Sequence, residues 1–302
     1  MTLQQLVYFL AVAETRNFTR AAQRAHVAQP SLSKQIQTLE TELGAALFSR
    51  ARGHVGLTAA GEALLPIAKR ILSDVDAARL EVGELVGLRA GRLRLGATPS
   101  LCVGILPDVL RRFHDTYPGI QLVVQESGSR DLTRALTGGE LDLALIIVPP
   151  QGADAALTAT PILRERLMVA SAAGGPPGPS RLSGLRDTQM VMFRDGYDLR
   201  ETTLQACRRA GFEPRLAVAG GEMDAVLRFV EAGLGVAVVP SMVLPDRTGL
   251  RATAVTAPAL RRTIALAHRT DVPPTTAARA FRTVLLDHLS GVELPDGVGL
   301  IR

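Results

Sequence analysis

One stretch decides the fold of the first sixty residues: FTRAAQRAHVAQPSLSKQI, residues 18–36. Asn17 can cap a helix from Phe18 to about Arg24, because its side chain accepts a backbone N–H group. After a short connection, Pro30 suits the first turn of the next helix, where its missing N–H costs nothing. The sequence therefore predicts two short helices joined by a tight turn.

The second of these helices, predicted to run to about Glu40, has one apolar and one polar face. Leu32, Ile36 and Leu39 recur at helical spacing, so we expect them to be buried. Gln can pair with adenine at two positions, and Ser can approach either kind of base pair. A polar face of this kind is typical of a DNA-reading helix, although a small helical subdomain with a merely solvated face is the alternative. The polar face comprises Gln29, Ser31, Ser33, Lys34, Gln35 and Gln37.

The flanking segments complete a small domain. Residues 48–57, FSRARGHVGL, predict two short strands around Gly53. Such a wing would hold Arg50 and Arg52 near DNA phosphates or in a minor groove. A first helix with one apolar face is predicted by residues at helical spacing, Leu3, Leu6, Val7, Leu10 and Ala13.

A long helical pattern covers residues 58–88, with Thr58 as its expected N-cap. Its apolar residues fall into two adjoining heptad rows, which predicts a coiled-coil seam and a partner helix. A long amphipathic helix packed on its own domain is the alternative, and Pro66 should bend the helix or weaken one turn. The rows are Leu64, Ile71, Ala78 and Leu85, and beside them Ala68, Val75 and Val82.

The composition of the 302 residues is 47% apolar and 21% charged, as in a folded globular protein. No apolar run reaches the roughly 18–20 residues that span a bilayer, which excludes integral membrane proteins. The two cysteines are too few for a disulfide scaffold or a four-ligand zinc site. The apolar run at residues 6–13 lacks the basic residues that precede a signal-peptide core, so we expect an intracellular protein.

From Arg92 onward, strand-like runs alternate with helical patterns, which predicts an α/β region with largely parallel sheets. Two of these strands are followed by hydroxyl-rich turns, one with Ser100 and one with Ser127 and Ser129. Open α/β sheets bind ligands at the carboxyl ends of their strands, and a helix N-terminus with a serine hydroxyl can hold a carboxylate. We therefore expect a site for a small organic anion, with ordinary helix capping as the alternative.

The amino-terminal sixty residues resemble the winged helix-turn-helix of the LysR-type transcriptional regulators. The resemblance rests on residues 18–23, 27–36, 39–40, 43–44, 47–50 and 57–61, without a gap in spacing. Ala25 departs from it, because a larger apolar residue, usually Leu, is common there. The resemblance implies a DNA-binding domain at residues 1–58, with Gln29, Pro30, Ser33 and Lys34 at the groove and Arg50 in the wing. Together with the polar face, the basic residues and the wing, it gives these expected DNA contacts: Arg20, Gln29, Pro30, Ser31, Ser33, Lys34, Gln35, Arg50 and Arg52.

Similar motifs extend the resemblance over nearly the whole chain: Leu106-Pro107, GELDLA at residues 139–144 and VEAGLGVAVVP at residues 230–240. They imply a linker helix at residues 59–89 that dimerises the protein. They also imply an effector domain at residues 90–302 that resembles type 2 periplasmic binding proteins. Its lobe I would comprise about 90–160 and 263–302, and its lobe II about 161–262. The ligand between them would be lined by Thr98, Ser100, Leu101, Ser127, Ser129, Phe193, Tyr197, Arg200 and Met223.

The resulting expectation is an α/β multidomain protein with a winged helix-turn-helix, a linker helix and a two-lobed effector domain. The resemblance implies a bacterial regulator that binds a pseudo-palindromic operator as a dimer or tetramer. A small-molecule effector would change that binding, RNA polymerase is a candidate partner, and the location would be the cytoplasm, at the nucleoid. We expect no enzyme, no cofactor and no metal, since hydrolase, Walker and zinc-protease motifs are missing and the histidines are scattered.

Two alternatives stay open at this point. A two-lobed solute-binding or catalytic protein could carry an unrelated helical domain, and DNA binding would distinguish it. Peroxide-sensing members of the family use a cysteine pair in the second lobe. Here only Cys207 falls there, while Cys102 lies in the first lobe, so thiol sensing is not expected.

Overall fold

The structure is a computed structural model that describes residues 1–49, 55–85, 91–149, 151–256 and 258–301. The chain divides into two compact units: an amino-terminal one of Met1–Gly87 with Thr137–Glu140, and a carboxy-terminal one of Leu88–Leu136 with Leu141–Arg302. None of the helices in the described residues combines the length and the apolar character that a bilayer crossing requires.

The amino-terminal unit is a three-helix domain followed by a two-stranded wing and a long helix. The elements are α1 (Leu3–Thr15), α2 (Phe18–Arg24), α3 (Gln29–Leu43), β1 (Phe48–Ser49), β2 (Gly56–Leu57) and α4 (Ala59–Leu85). Strands β1 and β2 pair antiparallel, as the sequence predicts. The turn that joins them, residues 50–54, lies outside the described residues.

Local capping explains where these helices begin. The side chain of Asn17 accepts a hydrogen bond from the backbone N–H of Arg20 (3.0 Å), and Pro30 lies in the first turn of α3. The hydroxyl of Thr58 accepts one from Gly61 N–H (3.1 Å) at the start of α4. The three predicted helix starts are therefore confirmed.

The core of this unit forms between α1, α3 and the wing. Leu32, Ile36 and Leu39 of α3 are fully buried, as predicted. The ring of Phe9 lies 5.4 Å from that of Phe48 on β1, measured between centroids. These contacts fix which side of α1 faces inward.

The predicted apolar face of α1 is wrong at two positions. Leu3 and Val7 are 42% and 40% exposed, whereas Leu6, Phe9 and Val12 are buried. The helix is apolar around most of its circumference, so periodicity alone does not fix its rotation. Packing of Phe9 against Phe48 selects the buried side.

Helix α4 begins in contact with the domain and then leaves it. At Gly61, a Cβ atom would lie 2.2 Å from the carbonyl oxygen of Leu47, so only glycine permits this approach. Ala68 is fully buried and Ile71 is half-buried against the same core. Val82, further along the helix, is 61% exposed.

The carboxy-terminal unit is built on one curled sheet with helices around it. Its helices are α5 (Pro99–Gly104), α6 (Leu106–Thr116), α7 (Ser129–Thr137), α8 (Asp198–Arg209), α9 (Met223–Glu231) and α10 (Thr276–Gly291). Its first strands are β3 (Gly91–Ala97), β4 (Ile120–Glu126), β5 (Leu143–Ile147) and β6 (Leu157–Ala172). The others are β7 (Gln189–Met192), β8 (Arg215–Ala219), β9 (Ala237–Pro240), β10 (Leu250–Ala254), β11 (Arg261–Arg269) and β12 (Val298–Leu300).

Strand β6 connects two halves of the sheet, whose order is β10-β6-β11-β5-β3-β4. Up to Arg166 it pairs with β11 and β12, and from Leu167 it pairs with β9 and β10. We call the half with β3, β4 and β5 lobe I and the half with β9 and β10 lobe II; β7 and β8 form a separate parallel pair. The change of partners marks the hinge between the lobes, a few residues beyond the predicted crossing near Thr160.

The prediction of largely parallel sheets is wrong. Strands β3, β4 and β5 pair in parallel, but every described pairing of β6 and β11 is antiparallel. These two long strands run past each other in opposite directions across the hinge. Antiparallel neighbours need no helical crossover between them. The alternation of strands and helices along the sequence does not show which strands become neighbours, and so it does not predict this antiparallel pairing.

Candidate DNA-reading helix and ligand cleft

The predicted reading face of α3 is largely exposed to solvent, and the opposite face of the helix is buried in the core. Gln29, Pro30, Ser31, Lys34 and Gln35 are exposed, and Ser33 is half-buried. The opposite face holds the fully buried Leu32, Ile36 and Leu39, which fix the rotation of the helix. The polar side chains therefore project together from a helix whose orientation the core determines.

Gln5 restrains one member of this face. Gln5 is 4% exposed and forms a capping box with Thr2 at the start of α1. Its side-chain nitrogen donates a hydrogen bond to the side-chain oxygen of Gln35 (3.2 Å). This contact leaves Gln35 less free than Gln29 to approach a base, and sequence periodicity gives no signal for it.

Glu40 ties the wing to the reading helix. One carboxylate oxygen of Glu40 accepts hydrogen bonds from the backbone N–H groups of Leu47 (2.8 Å) and Phe48 (3.3 Å). The base of the wing is therefore anchored to α3. The predicted wing contacts Arg50 and Arg52 lie outside the described residues.

Some of the basic side chains on and near α3 have no ion-pair partner among the described residues. Arg24 forms an ion pair with Glu14 (2.6 Å). Arg20 and Lys34 are exposed, and neither has an ion-pair partner in the part of the chain that the structure describes. A polar face with neighbouring unpaired cations is suited to the edges and phosphates of a DNA groove.

In the carboxy-terminal unit, Ser100 and Tyr197 meet where the two lobes touch. Thr98 and Ser100, at the start of α5, are fully buried. The backbone N–H of Ser100 donates to the hydroxyl of Tyr197 (3.3 Å), and the Tyr197 and Phe193 rings lie 5.0 Å apart, centroid to centroid. Burial raises the pKa of Tyr197 to about 12, so its hydroxyl stays protonated at neutral pH.

A buried ion pair adjoins Ser100. Arg262 contacts Glu165 through Nε (2.8 Å) and a terminal nitrogen (2.7 Å), and that terminal nitrogen also donates to the Ser100 hydroxyl (2.9 Å). Glu165 further accepts from the backbone N–H of Met242 (2.8 Å). The site therefore contains a buried cation that sequence reasoning missed, because an isolated Arg and Glu on strands carry no local sign of pairing.

Ser129 joins the lobes at a second point. Its backbone N–H (3.0 Å) and its hydroxyl (2.5 Å) both donate to one carboxylate oxygen of Asp198, at the start of α8. A cavity of about 690 Å³ adjoins this contact and is lined in part by Ser129, Thr133, Thr202 and Gln205. The start of α7 thus already holds a carboxylate, supplied by the chain itself.

The remaining predicted lining residues have internal contacts. Leu101 and Met223 are buried in the core of the unit. The hydroxyl of Ser127 donates to Asp131 (3.2 Å). Arg200 pairs with Asp195 (2.8 Å) and donates to the carbonyl of Phe193 (3.0 Å). Their role toward a ligand stays a prediction.

Both cysteine thiols have a raised pKa. Burial raises the pKa of Cys207 to about 11, and burial together with the Glu126 carboxylate raises the pKa of Cys102 to about 12. Both thiols are therefore protonated at neutral pH, the less reactive form. In the described residues, no three His, Cys, Asp or Glu side chains cluster as a metal site would require.

Two family models match the chain, in the order of its two units. Residues 3–62 match the bacterial regulatory helix-turn-helix protein of the lysR family, and residues 87–290 match the LysR substrate binding domain. Together they cover the reading helix, the hinge strands and the cleft.

Known proteins agree with this assignment over nearly their full length. The chain is 34% identical to the HTH-type transcriptional regulator IlvR of Caulobacter vibrioides, over 91% of the chain and 95% of that protein. It is 35% identical to a probable hydrogen peroxide-inducible genes activator of Streptomyces viridosporus, over 92% of the chain and 90% of that protein.

A solved structure is similar as well. Full-length CbnR in complex with its target DNA matches with a TM-score of 0.70 and 26% identity, over 94% of the chain and 99% of that protein. The order of elements, the two matched domains and these full-length similarities lead to one conclusion. The chain belongs to the LysR family of bacterial helix-turn-helix transcriptional regulators.

Proposed function

We propose that this protein recognises a specific operator through α3 and that a small organic anion bound in its effector domain modulates promoter binding. The observation that supports the first part is the exposed polar face of α3, held in one orientation by three buried side chains. Gln29 and Ser33 are the proposed base readers. Arg20, Lys34, Arg50 and Arg52 are the proposed phosphate or minor-groove contacts.

A dimer would place two reading helices on one face of a pseudo-palindromic operator. The exposed Val82 on α4 belongs to the heptad row that predicts a partner helix. The DNA complex of CbnR, a protein of similar fold, supports the same mode of action. Assembly to a tetramer, contact with RNA polymerase and a place at the nucleoid belong to this proposal.

The proposed effector site is the cavity beside Ser129. Asp198 occupies the hydrogen-bond donors at the start of α7. The carboxylate of an effector would compete with Asp198 for these donors and thereby separate the two lobes at this point. Such an exchange would shift the balance between two lobe arrangements, because the effector binds one of them better.

The action proposed is binding rather than catalysis, and thiol sensing is not part of it. One relative is described as a probable hydrogen peroxide-inducible genes activator. Here, burial raises the pKa of both thiols, and Cys207 is fully buried. An oxidant would meet neither an ionised nor an accessible thiol at that position.

The test is selection of genomic DNA fragments on the purified full-length protein, followed by footprinting with and without a panel of small organic acids. We expect protection of one pseudo-palindromic segment and a changed footprint with at least one acid. Protection that does not depend on sequence would contradict the proposal of operator recognition. A footprint that no acid in the panel alters would contradict the proposed organic-anion control.

A further inference from the structure

Three arginines crowd one surface of the hinge. Arg164 and Arg166 lie two positions apart on β6, so their side chains leave the same face of the sheet. Arg261 on β11 lies directly opposite Arg166 in the antiparallel ladder. All three are exposed. We call this group the hinge arginine cluster.

The alternation of the strands separates this cluster from the buried ion pair. Glu165 and Arg262, the intervening residues, face each other in the same ladder and point to the protein interior. Glu165, the one acidic residue on β6 and β11, is therefore already paired on the other face of the sheet. None of the three arginines has an ion-pair or side-chain hydrogen-bond partner among the described residues.

Like charges directly opposite each other in a ladder destabilise a sheet. An anion between the guanidinium groups would reduce this electrostatic repulsion. The planar guanidinium groups of arginine match the oxygens of carboxylates and phosphates. The surface is also concave: a cavity of about 560 Å³ is lined by the three arginines, by Glu165 between two of them and by residues 297–301.

Strand β12 forms the other wall of this cavity. The backbone N–H of Arg166 donates to the carbonyl of Gly297 (2.8 Å). A Cβ atom at Gly297 would lie 3.3 Å from Cβ of Arg166, so glycine keeps this wall close to the strand. The cavity thus has the size of a small molecule and a cationic floor.

We infer that the hinge arginine cluster binds a compact small-molecule anion with at least two negative charges, of the phosphate or polycarboxylate type. The site lies on the outer surface of the hinge and is separate from the cavity beside Ser129. Because Arg166 is the last β6 residue before the change of sheet partners and Arg261 begins the returning strand, a bound anion would link both hinge strands. It would hold the lobes in one arrangement.

The experiment is calorimetric titration of the full-length protein with pyrophosphate and with citrate at constant ionic strength. We expect at least one of them to bind, and each of Arg166→Gln and Arg261→Gln to weaken that binding about tenfold or more. Arg282→Gln is the matched control, since Arg282 is exposed on α10 without an ion-pair partner among the described residues. Pyrophosphate and citrate distinguish a phosphate ligand from a carboxylate ligand.

Thermal unfolding without added anion is a second measurement, and it tests the like-charge repulsion between Arg166 and Arg261. Without added anion, Arg166→Gln should raise the thermal unfolding temperature, because it removes a like-charge pair. Binding of neither anion, or equal weakening by Arg282→Gln, would overturn the inference. If the wild-type protein binds neither anion and Arg166→Gln loses DNA affinity, the cluster contacts DNA phosphates instead. That result would also overturn the inference.

Discussion

Replacing Arg262 with Met should strongly destabilise the effector domain. Arg262 and Glu165 are 5% and 0% exposed and contact each other at 2.7 and 2.8 Å. Met fills similar space but leaves the Glu165 carboxylate with the N–H of Met242 as its one short hydrogen bond. Breaking a buried pair from one side costs about 3–5 kcal/mol of unfolding free energy.

The double variant Arg262→Met/Glu165→Gln tests the cause of this loss. Gln keeps an oxygen for the Met242 N–H but carries no charge, so the remaining cost should be about 1–2 kcal/mol, the worth of the lost hydrogen bonds. The double variant should therefore be more stable than the single one by roughly 1–4 kcal/mol.

Thermal unfolding of the full-length variants, followed by circular dichroism, is the assay. At about 2–4 °C per kcal/mol for a domain of this size, the single variant should unfold roughly 6–20 °C earlier than wild type. Arg282→Met, on the exposed surface of α10, is the control and should change little. Equal unfolding temperatures for the single and double variants would refute the reasoning, because no uncompensated Glu165 charge would then exist.

Three further predictions concern assembly, pH and the effector. Val82→Asp should dissociate the dimer in sedimentation without unfolding the domain, since Val82 is 61% exposed; Ala77→Asp, off the predicted seam, should not, and an intact Val82→Asp dimer would contradict the linker-helix interface. Partial burial, and then the carboxylates of Glu222 and Asp224, raise the pKa of Glu126 in the folded protein. The folded state therefore loses stability as the pH rises above the ordinary pKa of a glutamate, because Glu126 ionises less readily when folded than when unfolded. Glu126→Gln should raise the unfolding temperature at pH 7.5 but not at pH 4, and the reverse pattern would refute this sign. Asp198→Ala should tighten, and Ser129→Ala should weaken, binding of whichever organic acid stabilises wild type, with Asp115→Ala as the control; unchanged affinities in both would move the site elsewhere.

The sequence predicts local features of this protein well because local chemistry determines them. Asn17 and Pro30 act within one helical turn, so the boundaries of α2 and the start of α3 follow from the sequence alone. The buried face of α3 follows as well, because its other face is strongly polar. Helix α1 lacks that contrast, and its rotation depends on Phe48, 39 positions after Phe9.

The contacts within the candidate cleft could be predicted only in part. Its serines were identifiable as strand-end hydroxyls, but Asp198 and Arg262 reach them from 69 and 162 positions along the chain. Such pairings depend on how β6 and β11 cross the hinge, which no local pattern encodes. The same crossing explains why the sequence predicts a largely parallel sheet whereas the structure has a mixed one.

The central claim is that α3 reads DNA sequence, and Gln29→Ala tests it most directly. Affinity for the selected operator and for random DNA should be measured at one salt concentration by fluorescence anisotropy. We expect a loss of about 1–3 kcal/mol on the operator and a smaller loss on random DNA. Gln4→Ala, an exposed Gln→Ala change on α1, should alter neither. Equal losses on both DNAs, or no loss on the operator, would contradict base reading by α3.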